Sequence, residues 1–377
     1  MLGGALRVKC PEALAAAAVI PHLRLIVCMV SSPCPGFLDR DDKLAANLRH
    51  QIGDRMIEID VRSHLDGEMA AAVATSRRLH EEIEAERGVI APDDLAGCRA
   101  AYEHERAFWN SVKPELLAVE EASVPSKGGA VPCRLFRPSP AREGPALLYL
   151  HGGGWIMGSL DTHDRIMRLL AQKSGAVVVG AAYRLAPEHK FPAAHEDALE
   201  VLRYMIREGS AWGIDGARLA VGGDSAGANL ALASCLCLDA QERRSVRLQL
   251  LYYGTYGLRD SASMRSLASG LDGVSPADMR RYRAYVVRTP ADLSDMRLDC
   301  LSADLHGLPP AFMGVGGLDP LLDDSRALAA LMTEAGVANE LVVYPGVLHG
   351  FLHYSRMVAK SMQALDAGAA ALARSFL

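Results

Sequence analysis

The chain lacks a surplus of charge of either sign: 40 Lys and Arg face 45 Asp and Glu in 377 residues, a formal net charge of −5. So balanced a surface offers no electrostatic footprint for a phosphate backbone, which argues against a nucleic-acid partner. It also lacks paired cysteines. Eight are scattered as Cys10, Cys28, Cys34, Cys98, Cys133, Cys235, Cys237 and Cys300, and none has the spacing of a zinc pair. Cys235 and Cys237 fall on one predicted helix, where they cannot face each other. Isolated thiols of this kind indicate a reducing compartment, hence a cytoplasmic chain, and exclude a disulfide-stapled scaffold. Nor does any clean apolar run reach the ~18–20 residues that a membrane span requires. What is present, 50% hydrophobic and 23% charged residues, is the composition of a globular enzyme with a substantial core.

One stretch departs from that average. Residues 12–38 are apolar and rich in small residues, but Pro21, His22 and Arg24 interrupt them. Three readings of residues 1–55 stay open: a disordered leader or one set by a misplaced start ahead of Met56, an export signal or anchor, and a folded helix. Their basic start is thin and no tidy A-x-A site follows the apolar part.

From Met69 the spacing predicts a helix to Arg87 and a second from Pro92 to Trp109, the latter with Pro and acids in its first turn. Glu120 to Arg137 alternates about Lys127-Gly128-Gly129 and reads as a β-hairpin. Short apolar runs then alternate with amphipathic helices to a last predicted helix, His353–Phe376. That order implies an α/β protein with a mostly parallel central sheet flanked by helices. The alternation lapses between Tyr252 and Ala311. Gly254–Leu271 reads as loop, Ser275–Arg288 as helix and Asp292–Gly307 as irregular, an insertion long enough to be functional.

The chemistry centres on Gly223-Asp224-Ser225-Ala226-Gly227, which matches G-x-S-x-G between an apolar strand and a helix. That context is the one in which the motif exposes a nucleophilic serine on a sharp turn, with the next backbone N–H facing a developing oxyanion. The bland alternative, a glycine-flanked helix cap, loses ground to the strand before it. His151-Gly152-Gly153-Gly154-Trp155 follows another apolar strand, and three glycines let backbone N–H groups approach a substrate closely. His151 reads as a structural tie for that loop. In this fold the base and its orienting acid follow the nucleophile in the order acid, then histidine. His349, in a loop after the last strand, and Asp319, at the end of the preceding one, satisfy that order. Asp323 and Asp324 read instead as the first-turn acids of the next helix, and His353 as facing into the final one.

HGGGW, the run YRLAPEHKFPAAHEDA over Tyr183–Ala198, GDSAGAN, LDPLLDD and YPGVLHGF together resemble the bacterial hormone-sensitive-lipase family of α/β-hydrolase esterases, in order over residues 120–377. The resemblance implies an α/β-hydrolase fold with a helical cap. It places cap helices at 56–119 and a catalytic domain at 120–377, carrying a second cap segment at about 254–307. It also implies a serine carboxylesterase without metal or cofactor, with Ser225, Asp319 and His349 as triad. The oxyanion hole falls to Gly152, Gly153, Gly154 and Ala226, with Gly152 shaping the loop. His151, Trp155, Gly223, Asp224 and Gly227 would support the motifs, and Pro187-Glu188 would brace the site. Ala228 stands where the family more commonly has glycine, and residues 1–55 have no family counterpart.

The implied substrates are small acyl esters, short in the acyl chain, with Trp155, Tyr256 and Met279 or Tyr282 as candidates to narrow the pocket. An amidase or deacetylase of small molecules on the same site is the alternative. A non-catalytic receptor is a more distant one, since receptors of this fold commonly lose a triad residue. A homodimer is the partner that the family suggests.

Overall fold

The computed structural model describes residues 59–140 and 143–377; the leader, with its open readings, lies outside them. Eight strands form one sheet in the order β1-β2-β4-β3-β5-β6-β7-β8. They are β1 (Ala118–Val124), β2 (Val131–Arg137), β3 (Gly144–Leu150), β4 (Val177–Ala181), β5 (Ile214–Asp224), β6 (Val246–Tyr252), β7 (Ala311–Gly316) and β8 (Asn339–Tyr344). β1 and β2 form the antiparallel hairpin, β2 meets β4 antiparallel, and every other pairing is parallel.

Nine helices of six residues or more accompany the described strands: α1 (Gly67–Arg87), α2 (Leu95–Trp109), α3 (Asp164–Ser174), α4 (Ala193–Glu208), α5 (Ala226–Cys237), α6 (Ala262–Leu267), α7 (Pro276–Val286), α8 (Leu322–Glu334) and α9 (Ala359–Ser375). The apolar runs of the parallel strands are buried on both faces. Leu147 and Val178 pack in one cluster with Leu170 of α3 and Leu372 of α9. Their sequence neighbours Leu148 and Val179 pack in the other, with Val201 of α4 and Leu232 of α5. Side chains alternate across a strand, so a continuous apolar run is what a sheet covered on both faces requires.

Three element boundaries differ from the sequence reading, each for a local reason. α2 starts at Leu95 because Asp94, not Pro92, caps it: the Asp94 carboxylate accepts from Gly97 N at 2.9 Å. The final helix begins at Ala359; residues 351–354 form a separate tight turn, and His353 belongs to that turn. Within the presumed loop Gly254–Leu271, Ser261 accepts from Met264 N and starts the short helix α6.

The carboxyl ends of the parallel strands share one edge of the sheet. The turns following β3, β5, β7 and β8 therefore carry the glycine loop, Ser225, Asp319 and His349 to the same place, the crevice where open α/β sheets bind ligands.

Candidate active site

β5 ends at Asp224 and α5 begins at Ala226, leaving Ser225 alone to make the turn at φ 53° and ψ −119°. A positive φ on a serine is strained backbone and persists only when its surroundings impose it. Here Ser225 N donates to Tyr252 O at 2.9 Å. The flanking glycines let β3 come close. A Cβ on Gly227 would lie 1.9 Å from Leu150 O, and one on Gly223 2.2 Å from it. Any side chain at either position would push the strand and the elbow apart.

His349 Nε2 stands 2.9 Å from Ser225 Oγ, and its Nδ1 2.8 Å from Asp319 Oδ2. The acid fixes the tautomer: Nδ1–H donates to the carboxylate, which leaves Nε2 free to accept from the hydroxyl. Asp319 is fully buried, and its second oxygen accepts from Leu321 N at 2.7 Å. The His349 ring lies edge-on to Tyr253, centroids 4.9 Å apart. Burial disfavours the imidazolium, but the Asp319 charge and hydrogen bond, helped by the Asp272 charge, outweigh it and raise its pKa above 6.5.

In the glycine loop the structure separates Gly152 from its neighbours. Gly152 N–H points inward, 3.1 Å from Asp224 Oδ1 and 3.2 Å from His163 Nε2, so Gly152 belongs to the loop and not to an oxyanion hole. The turn that follows has Gly153 at φ +117°, where a Cβ would strike Met157 O at 2.2 Å. The N–H groups of Gly153, Gly154 and Ala226 find no acceptor among the described residues, and all three residues line one cavity. Asp224 is the strut beneath: buried, it accepts from Tyr149 Oη at 2.8 Å as well as from Gly152. His151 Nδ1–H donates to Gly152 O at 2.9 Å while its ring stacks on Tyr183. Burial drives its pKa down to about 3, so it stays neutral.

The cavity encloses about 500 Å³ and holds Ser225, His349 and the glycine loop on its floor, within the size range of small-molecule sites. Tyr102 and Arg106 of α2 and Val73 of α1 line it from one side, and the turn Gly270–Val274 with Met279 and Tyr282 of α7 from the other. Trp155, Met279 and Tyr282 thus stand where the sequence suggested. Tyr256 does not: it is wholly buried beside Gly254, away from the cavity wall. Asp323 and Asp324 stand in the first turn of α8, as the sequence suggested. Their carboxylates reach across to the insertion, Asp324 accepting from the N–H groups of Tyr256, Gly257 and Leu258 and Asp323 from that of Ser263. Outside the cavity, Arg99 of α2 forks onto Glu188 at 2.7 and 2.8 Å and also donates to Ile156 O and Ala186 O. It ties a cap helix to the Pro187-Glu188 loop.

Two residues of the site escaped sequence reading. Tyr253 follows β6 at φ 38° with its hydroxyl buried and unpartnered, and carries no motif. Asp272 lies in Gly-Leu-Asp-Gly within the insertion, and its only signal was a lone acid between glycines.

Among the described residues, one cluster has the composition of a metal site: His163, Asp224 and His353, all buried. Two of its three members are already engaged with Gly152 N–H, and burial keeps His353 well below the ordinary histidine range. It sits behind the glycine loop and serves as that loop's backing.

A family model described as the alpha/beta hydrolase fold matches residues 147–353. Among solved structures, a hyperthermophilic esterase from the archaeon Pyrobaculum calidifontis is 33% identical with a TM-score of 0.74. The match covers 79% of this chain and 96% of that one. A thermostable carboxylesterase cloned from a metagenomic library is 32% identical, with 75% and 98% covered and a TM-score of 0.73. A thermostable esterase from Pseudomonas putida is 28% identical, with 80% and 97% covered and a TM-score of 0.71.

Proposed function

The chain belongs to the α/β-hydrolase family in its hormone-sensitive-lipase form and is a carboxylic ester hydrolase; from that premise we propose that Ser225, His349 and Asp319 carry out the hydrolysis and that the substrates are short-chain esters. The observation that carries this reading is the unbroken line from Ser225 Oγ through His349 to Asp319, beside three unengaged backbone N–H groups.

In the proposed cycle His349 Nε2 takes the hydroxyl proton as Ser225 Oγ attacks the ester carbonyl. Asp319 holds the imidazolium in place without taking its proton. The oxyanion lies against the N–H groups of Gly153, Gly154 and Ala226, each donor of this kind being worth about 3–4 kcal/mol. His349 then protonates the leaving alcohol, and the same base activates water to release the acid from Ser225.

His349 must be neutral to act, and its pKa lies above 6.5. A base with a raised pKa stays protonated to higher pH, so kcat/KM should fall as the pH drops through a midpoint above 6.5. A kcat/KM profile on p-nitrophenyl acetate measures it, and a midpoint below that value contradicts the Asp319–His349 coupling.

The preference for short chains is supported by what bounds the cavity. Trp155, Met279, Tyr282 and Leu321 crowd its wall, and Arg62, Arg77 and His80 stand among its lining. The exposed large apolar side chains, Val89, Met296 and Met357 among them, do not line it, so the described residues offer no apolar lip to an oil surface. Rates on p-nitrophenyl esters from acetate to palmitate should peak at roughly two to six acyl carbons. A peak at long chains overturns this part of the reading.

We also propose a cytoplasmic homodimer. The location is supported by five free thiols among the described residues, and no described helix is long and apolar enough to cross a membrane. The dimer is supported by the open edge of β8, where Val343 is exposed. Light scattering behind a sizing column reads the mass, and a monomer at every concentration rejects the dimer.

A further inference from the structure

The insertion places a second carboxylate in the cavity. Asp272 sits in the turn Gly270–Val274 and lines the same space as Ser225 and His349. It is close enough to His349 for the two charges to act on each other. Its Oδ1 has a long contact with Val274 N at 3.4 Å, the backbone N–H of His349 also bears on the carboxylate, and its Oδ2 is buried without a close hydrogen-bond partner. Leaving a buried carboxylate oxygen unsatisfied is costly, and folding gains nothing from it. The residue as a whole is half-buried and lines the substrate cavity, so a donor that arrives with the ligand can complete the shell of this carboxylate.

On the esterase reading above, the scissile ester divides between the glycine-loop N–H groups, which take its carbonyl oxygen, and His349, which hands a proton to the leaving alcohol. Asp272 is on the His349 side. We propose that Asp272 is a specificity residue that accepts a hydrogen bond from a hydroxyl group on the alcohol part of the ester, so that the preferred substrates are short-chain esters of polyhydroxylated alcohols. A hydroxyl suits the site better than an ammonium group. Among the lining residues Arg62, Arg77 and Arg106 are matched in number by Glu105, Asp224 and Asp272, so the cavity as a whole has no net charge that draws in a cation. Burial pushes the Asp272 carboxyl up to about 7; protonated or ionised, it still offers an acceptor oxygen to a neutral hydroxyl.

The test compares ethylene glycol monoacetate with n-propyl acetate, which has a methyl group where the first has the hydroxyl, and with dimethylaminoethyl acetate. Acid release is followed at constant pH for the wild type, Asp272→Asn and Asp272→Leu. In the wild type kcat/KM should favour the hydroxyl ester over the propyl ester by on the order of tenfold. The ratio should fall to about one in Asp272→Leu, and only part of the way in Asp272→Asn, whose amide oxygen still accepts. A ratio that Asp272→Leu leaves unchanged overturns the proposal, and so does a wild-type preference for the amine ester. Thermal unfolding checks that the leucine variant is folded; should it not fold, an unchanged ratio in the asparagine variant overturns the proposal equally. If the wild type hydrolyses none of these esters and no p-nitrophenyl acetate, the esterase reading itself falls. Equal rates on all three esters leave that reading intact and reject the role of Asp272 alone.

Discussion

Ser225→Ala is expected to lower kcat on p-nitrophenyl acetate by about a million-fold, with little change in KM and an unchanged far-ultraviolet spectrum. The size of the loss follows from what remains. Alanine keeps the backbone turn, the glycine loop and the His349–Asp319 pair, so the oxyanion donors still face the cavity. What disappears is the one oxygen that forms a covalent bond to the substrate, 2.9 Å from the base that activates it. Oxyanion binding and positioning alone leave a residual acceleration of about a thousand- to ten-thousand-fold over water, and that residue is the floor the variant should reach. The turn at Ser225 is strained, and alanine suits its positive φ no better than serine. Stability should therefore change little. A variant that keeps kcat within tenfold of wild type, an interval of about 1.4 kcal/mol, removes Ser225 from the reaction.

The parts of this site that were legible in the sequence are those where backbone geometry dictates residue type. Gly223 and Gly227 are fixed by the approach of Leu150 O, and Gly153 by its conformation against Met157 O. Such constraints admit almost no other residue and leave a motif. The order of Ser225, Asp319 and His349 was readable because each follows a strand whose apolar run is itself plain. Less legible was everything that depends on direction. Whether the N–H of Gly152 faces the cavity or Asp224 is a matter of one peptide plane. The sequence of a three-glycine loop does not record it. Asp323 and Asp324 are the helix-start acids they look like, but nothing local records that the insertion folds over that helix start and lends both carboxylates its own N–H groups. His353 follows the same logic: it continues an apolar-periodic run, yet a tight turn precedes α9 and holds its ring edge-on to His163. Asp272 and Tyr253 were invisible because long-range packing alone carries them to the imidazole.

Asp319→Asn should cost about ten thousand-fold in kcat with the fold intact, and the reason lies in proton placement. The asparagine oxygen is held by Leu321 N, which now donates to Asp319 Oδ1 at 2.7 Å. The amide nitrogen is then left facing His349 Nδ1, where it can only donate. The imidazole answers by carrying its proton on Nε2, pointing a donor at Ser225 Oγ in place of an acceptor. In that tautomer the base cannot take the serine proton. A second consequence separates this account from a simple loss of packing. Asp319 is the chief group that raises the His349 pKa against the opposing pull of burial. With its charge gone the imidazolium is less favoured, so the acid limb of the residual kcat/KM should move to lower pH. Residual activity with an unmoved limb would mean that Asp319 only holds the ring in place. A limb that moves down identifies it as the charge that the imidazolium needs.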